Sequence, residues 1–367
     1  MRICVVSLNL AAYYDPTPRA RYGGAEVQAA FVAQALAAAG HEVSLVVADL
    51  PTGVKPPYPT FAAFDSRAGL PGLRFLHPRM SGILSALSAA NADLYYQRNA
   101  GMVTGVVANF CAQKRRTFVY GAGSDTDFSF KRVLVDGLRD RTLYYYGLRR
   151  ANGVVVQNES QRRMAETVIR SPVRMIPNGA VPPRTSAVSH EGVLVWAGGV
   201  RRVKRPDLFV ELARRMPERR FVLVGGGLAG EGTYADDIAR AARQLPNLTL
   251  TGWRPNSDVI AFIRGAALVV NTSEVEGFPN VYLEAWNHGV PVVTFNDVDG
   301  LIAGNGLGEV CANLDDMEAA VRRLLGDGAE LRAAGDRACR LVAERYSPQA
   351  LGPLYSEFFS ELVPARR

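Results

Sequence analysis

Residues 267–294 read ALVVNTSEVEGFPNVYLEAWNHGVPVVT. The run 267–270 is apolar, as a strand buried on both faces requires, and the predicted strand ends at Asn271. Gly277 and Pro279 interrupt any helix across 276–279. A helix is predicted over 280–287, and a second strand over 290–294. Strand, loop, helix and strand in that order make a parallel βαβ unit.

The same alternation extends outward. Strands are predicted at 193–197, 221–224 and 248–251, with helices at 206–216, 234–244 and 258–264. Helices at 315–325, 329–345 and 348–362 follow. Near the start, a strand at 2–8 leads through a Pro- and Gly-containing loop to a helix at 25–39. Gly40 stops that helix, and a strand follows at 42–48, a Rossmann-type opening. Further strands are predicted at 93–96, 117–120, 153–157 and 174–176, the last running into the turn Pro177-Asn178-Gly179. Residues 181–191 read as a linker. A chain of 367 residues exceeds one hydrophobic core. The expectation is an α/β protein with domains over 1–181 and 182–346 and a terminal helical segment over 347–367.

Hydrophobic residues make up 48% and charged residues 21%, which excludes a largely disordered chain. No signal-peptide pattern and no apolar run of membrane-spanning length is visible. Cys4, Cys111, Cys311 and Cys339 are far apart, which fits a reduced, cytoplasmic setting. The histidines (His41, His77, His190, His288) lack metal-ligand spacing. The formal charge is +7, with basic clusters at 114–116, 149–150 and 201–205. The first lies near Phe110 and Phe118 and the second follows Tyr144, Tyr145 and Tyr146. Basic residues beside aromatics suit a peripheral membrane contact, while a solvated basic surface is the plainer reading. No nucleic-acid-binding signature is present, so no nucleic acid partner is expected.

Gly225-Gly226-Gly227-Leu228-Ala229-Gly230 matches a dinucleotide fingerprint. That site also needs a carboxylate after the next strand, to hold ribose. Gly252, Trp253 and Arg254 stand there instead, so a nicotinamide or flavin site is rejected. No Gly-Lys-Ser/Thr phosphate loop exists.

The chemistry is expected in 272–289. Glu276 falls on the loop at the carboxyl edge of the sheet, where ligands of open α/β sheets lie. Glu284 falls about one turn into the following helix. Free amides from Gly277 to Tyr282 form a helix start that attracts a diphosphate. The two carboxylates can accept hydrogen bonds from sugar and ribose hydroxyls. Two isolated glutamates would otherwise be ordinary surface acids. The full string, Glu-x7-Glu with Gly277-Phe278-Pro279-Asn280 between and Ala285-x3-Gly289-x-Pro291-Val292-Val293 after, resembles the donor motif of glycosyltransferase family 4.

That resemblance implies the GT-B fold: two Rossmann-like domains facing a cleft, with the C-terminal helix crossing back to the N-terminal domain. It implies that Glu284 binds ribose and Glu276 the donor sugar, with help from the segment Gly277, Phe278, Pro279, Asn280 and Val281. It implies transfer with retention of configuration, no metal and no cofactor beyond a nucleotide-sugar co-substrate, UDP- or GDP-linked. Gly23-Gly24-Ala25-Glu26 is similar to the family's N-terminal Gly-Gly-x-Glu, where glycines allow close backbone approach to a ligand. Residues 197–206 resemble its phosphate-binding segment. Lys204 aligns with the lysine, but Gly199 stands where an arginine is usual, and Arg201 or Arg202 could supply the charge. Many members carry a histidine after the strand matching 117–120. Here Asp125 or Asp127 could orient an acceptor hydroxyl or merely cap a helix. Trp253 and Arg254 lie where relatives contact the base, and Trp253 could equally be core. Arg98 is a candidate by position alone, and His288 reads as a packed or capping residue.

The function expected is a hexosyltransferase acting on a nucleotide sugar and an acceptor glycan, glycolipid or small-molecule hydroxyl. An isomerase or hydrolase of sugar nucleotides and a non-catalytic sugar-nucleotide-binding subunit are the alternatives.

Overall fold

The computed structural model describes residues 1–17, 20–65, 75–183, 192–227, 231–274 and 276–363, those at 75 and 76 by backbone only. Most of the predicted linker at 181–191 and the last three residues of the Gly-rich decoy lie outside them. The chain divides into two compact units, residues 1–179 with 347–367, and residues 180–346.

The first unit runs β1 (Arg2–Val6), α1 (Gly24–Ala38), β2 (Glu42–Val47), β3 (Thr60–Ala62), α2 (Ser81–Ala90), β4 (Leu94–Arg98), α3 (Met102–Lys114), β5 (Thr117–Gly121), α4 (Leu138–Leu148), β6 (Gly153–Val156), α5 (Glu159–Val168) and β7 (Val173–Met175). Its sheet has the order β3-β2-β1-β4-β5-β6-β7, with every pairing parallel. β4, β5 and β6 are buried along their whole length, because helices cover both faces of a parallel sheet.

The second unit runs β8 (Val193–Ala197), α6 (Pro206–Arg215), β9 (Arg220–Val224), α7 (Tyr234–Ala242), β10 (Leu248–Gly252), α8 (Asn256–Arg264), β11 (Ala266–Asn271), α9 (Asn280–Trp286), β12 (Val292–Thr294), α10 (Leu301–Asn305), β13 (Gly308–Val310), α11 (Leu314–Gly326) and α12 (Gly328–Leu341). Its parallel sheet has the order β10-β9-β8-β11-β12-β13. Strand order reverses between β8 and β11, so their carboxyl ends flank the crevice where such sheets hold ligands.

The chain then returns to the first unit as α13 (Pro348–Leu362), with Ser347 accepting from the Ala350 amide as its N-cap. α13 lies against α1: a Cβ on Gly352 would stand 2.5 Å from the Ala35 carbonyl oxygen. His41 Nε2 and Ser356 Oγ are 2.9 Å apart, and Tyr355, Phe358 and Phe359 complete the core beneath.

The basic–aromatic reading at 110–118 and 144–150 needs correction. Phe110, Phe118, Tyr144 and Tyr145 are buried in one core cluster, so they offer nothing to a membrane. Arg116 pairs with Asp93 at 3.6 Å, and Arg150 stacks on Tyr146 at 4.1 Å.

Candidate functional site

At the β8–β11 reversal lies a small open pocket. Trp196 and Ala197 line it from the end of β8, Val270 and Asn271 from the end of β11, and Lys204, Ser273, Glu276 and Val281 from the loops and α9. Two loops build it. The first, after β8, holds a single 3-10 turn (Arg202–Lys204) and ends at Arg205, whose φ of 47° is left-handed. The second follows β11.

Glu276 has a nearly buried carboxylate that pairs with the Lys204 ammonium. Asn271 Nδ2 approaches the same Glu276 oxygen at 3.4 Å, and Asn271 Oδ1 accepts from the Ser273 amide at 2.8 Å. Thr272, fully buried, ties the two loops together. Its hydroxyl lies 2.9 Å from the Lys204 carbonyl oxygen and 2.7 Å from that of Arg205, and it accepts from Trp196 Nε1 at 3.0 Å. The Glu274 amide donates to the Val203 carbonyl at 3.0 Å, and Arg205 bridges Glu274 and Asp207. A lysine tethered through its own backbone is a preorganised cation, which stabilises developing charge without first being ordered.

Glu284 sits on α9, partly buried, with no hydrogen-bond or ion-pair partner among the described residues. Burial pushes its carboxyl up to about 7. The Phe278 side chain is turned into the core, 5.6 Å from Tyr346 between ring centres. Pro279 caps α9 and Asn280 opens it. Buried His288 has its basicity lowered by burial and by Arg264.

The remaining predicted residues are not gathered into this pocket. Arg201 approaches Glu231 at 3.9 Å; the Arg202 amide donates to Glu231 Oε2 at 3.2 Å, and its guanidinium lies over Tyr234 at 4.7 Å. Neither lines the pocket, and neither does Gly199. Trp253 and Arg254 are exposed beyond β10, the edge strand, two strands from β8. Gly23, Gly24 and Asp125 belong to the other unit. There the Gly23 amide donates to Glu26 Oε2 at 2.9 Å, so Gly23 is the N-cap of α1. Asp127 is the capping acid: it is buried and accepts from Tyr120 Oη and the Gly123 amide, both at 2.8 Å. Burial holds its carboxyl above the usual range. Asp125 accepts from Gln161 Nε2 at 2.9 Å. Arg98 is buried and donates to Asn178 Oδ1 at 2.8 Å. The Gly-rich decoy has a packing reason, since a Cβ on Gly225 would stand 1.9 Å from the Gly198 carbonyl oxygen. Among the described residues, no group of three His, Cys, Asp or Glu side chains is placed to hold a metal ion.

A family model described as "Glycosyltransferase Family 4" matches residues 22–182, and one described as "Glycosyl transferases group 1" matches residues 191–327. The chain belongs to glycosyltransferase family 4. Its fold is GT-B. The family 4 chain superposes on sucrose-phosphate synthase from Thermosynechococcus elongatus with a TM-score of 0.74 and 18% identity, over 98% of both chains. With Anabaena HepE, solved in complex with UDP and glucose, the TM-score is 0.73 and the identity 17%, over 98% of this chain and 99% of that one. In sequence it is 34% identical over 107 residues to D-inositol 3-phosphate glycosyltransferase from Mycobacterium sp. (strain KMS). That match covers 28% of this family 4 chain and only 24% of the relative's length. Asn271, Thr272 and Trp196, which support the pocket, were given no role by the sequence reading. Polar side chains bonding between loops leave no periodic signal.

Proposed function

We propose that the chain transfers a sugar, with retention of configuration and without a metal ion, from a nucleoside diphosphate to an acceptor hydroxyl. The observation that carries this is the Lys204–Glu276 pair at the β8–β11 reversal, a cation and an acid in one pocket at the ligand edge of a parallel sheet. Lys204 neutralises the diphosphate, with Arg201 or Arg202 swinging from Glu231 to add the charge that Gly199 lacks. Amides of Gly199, Gly277, Phe278 and Asn280 complete the phosphate contacts, with Pro279, which has no N–H, shaping the turn, and Val281 packs against the donor. Glu276 accepts from donor-sugar hydroxyls, Glu284 from the ribose, and Trp253 and Arg254 lie toward the base. The acceptor is assigned to the first unit, with Asp125 orienting its hydroxyl, while Gly23 and Gly24 are assigned to close backbone approach to the donor's sugar or phosphate.

In the reaction, the bond between the sugar C1 and the β-phosphate oxygen breaks and a bond from C1 to the acceptor oxygen forms. The acceptor proton passes to the departing phosphate oxygen. The protein's share is to hold that oxygen's growing negative charge, which fixed cations and amides do best away from bulk water. The co-substrate proposed is a UDP- or GDP-hexose. The names of the relatives support this class, and the short match to the inositol phosphate enzyme leaves the acceptor open between a glycan, a glycolipid and a small hydroxyl compound.

The test is binding and hydrolysis across UDP-, GDP- and ADP-sugars, with wild type beside Lys204→Ala and Glu284→Ala. Selective binding of one donor, slow release of its nucleotide and loss in both variants support the reading. Binding with no turnover under any acceptor favours the non-catalytic subunit, and binding of no donor by folded protein refutes the site.

A further inference from the structure

Three of the most exposed large apolar side chains fall within nine residues of one another. Phe130 is 49% exposed, Leu134 68% and Leu138 75%. Their exposure has a structural cause. Val133 and Val135 are buried, 4% and 6% exposed, while Leu134, on the bend between them, is left outside. Leu138 is the first residue of α4, before any neighbouring turn covers it. Phe130 rests its ring on Tyr145, 4.9 Å between centres, with the Arg141 guanidinium 5.8 Å from its own. Arg141 also donates to the Val135 carbonyl at 3.2 Å, which fixes the segment to the helix. Scattered apolar residues on a surface need no explanation, but a fixed cluster of three does.

The charges around the cluster narrow the partner. Lys131, Arg132 and Arg139 are exposed beside it; among the described residues Lys131 and Arg132 form no ion pair, and Arg139 is offset by Asp140 at 2.7 Å. Over 130–141 there are four cations against two carboxylates. A protein partner of ordinary surface would need its own acidic rim. A bilayer containing anionic lipid offers both requirements at once, an apolar layer under a negative sheet of headgroups. The basic clusters at 114–116 and 149–150 lack such side chains. Arg150, past the end of α4, is held over Tyr146, 4.1 Å from its ring centre.

We propose that residues 130–139 form a membrane-docking surface, with Phe130, Leu134 and Leu138 entering the headgroup boundary of an anionic bilayer and Lys131, Arg132 and Arg139 meeting its phosphates. This places the membrane contact on a different surface from the one the sequence suggested. It stands whether or not the transferase reading holds, because the surface shares no residue with the donor pocket.

The experiment is flotation of the full chain with phosphatidylcholine vesicles, with and without phosphatidylglycerol. Wild type is expected to float with the anionic vesicles only, less so at high salt. Leu134→Ser/Leu138→Ser, both outside the core, should lower partitioning by about tenfold or more with an unchanged melting temperature. Lys131→Gln/Arg132→Gln should lower it by a similar factor. Failure of wild type to float overturns the proposal, as does equal flotation of the leucine variant. If wild type instead self-associates and the leucine variant does not, the surface joins two copies of the chain and the bilayer reading falls. Donor binding in the same preparations separates these outcomes from a failure of the proposed activity.

Discussion

Glu284 can be followed through pH. Burial raises its carboxyl from the usual 4.5 to about 7 in the free protein. A folded value above the unfolded one means the acid form is favoured in the fold. Its favourable contribution is complete below pH 4.5 and is lost as pH rises to about 7. Glu284→Gln should therefore match wild type in stability near pH 4 and exceed it at pH 8, by at most roughly 3 kcal/mol. Denaturant unfolding at the two pH values measures this. On the proposed reading donor binding runs the other way, since ribose hydroxyls would donate to the ionised form. Donor affinity should fall toward tenfold per unit below pH 7 in wild type and stay flat in Glu284→Gln. A flat wild-type profile would remove Glu284 from the ribose contact. Thr272 gives a second test at this scale. Thr272→Val keeps its shape but leaves the Trp196 indole N–H without its acceptor and the Lys204 carbonyl without its donor, while the Arg205 carbonyl keeps the Leu208 amide. The cost is about 1–3 kcal/mol, with about tenfold or more lost in donor turnover as Lys204 loosens. Thr272→Ser should restore both. The positions of Glu276 and Glu284 were legible because a Gly/Pro-broken loop between strand and helix marks the sheet's edge, whereas Lys204 was reached only through the resemblance of residues 197–206 to the family's phosphate-binding segment. Thr272 was not, because its partners stand far off at 196, 204 and 205.

Among elements, legibility tracks burial pattern. The strands from 193 to 294 lie within two residues of where the sequence put them, since parallel strands buried on both faces read as short apolar runs. α2 to α5 were given no helix. In α3, Thr104, Gly105, Val106, Val107, Ala108, Phe110 and Cys111 are all buried, which spreads apolar and small residues around the helix and erases the stripe. β3 and β13 are three-residue edge strands, too short for any alternation. Close helix contacts are equally silent in sequence, and Gly352 is one. An open mid-helix glycine would gain about 1 kcal/mol on becoming alanine. Here the new Cβ would stand 2.5 Å from the Ala35 carbonyl oxygen, so α13 must shift on α1. Gly352→Ala should destabilise by about 1–3 kcal/mol, read as a fall in melting temperature. A rise would show that α13 moves freely.

For the molecule as a whole, the division of labour makes a sharper claim. Residues 180–346 are continuous in sequence and carry a six-stranded sheet with its own core on both faces. They also hold every residue lining the pocket proposed for the donor, together with Glu284. The other unit is discontinuous, since α13 returns to it after the second unit is complete. Residues 180–346 expressed alone should therefore fold, with the circular dichroism of an α/β domain and a cooperative transition. They should bind the donor nucleotide within about tenfold of the full chain, and nucleotide at 100 times its Kd should stabilise them by about 2.7 kcal/mol. They should transfer no sugar, because the acceptor is assigned to the other unit. Calorimetry on the isolated piece and a turnover assay beside the full chain decide it. A folded piece that fails to bind nucleotide would mean that donor recognition needs residues of the first unit, and Gly23 and Gly24 would be the first to substitute.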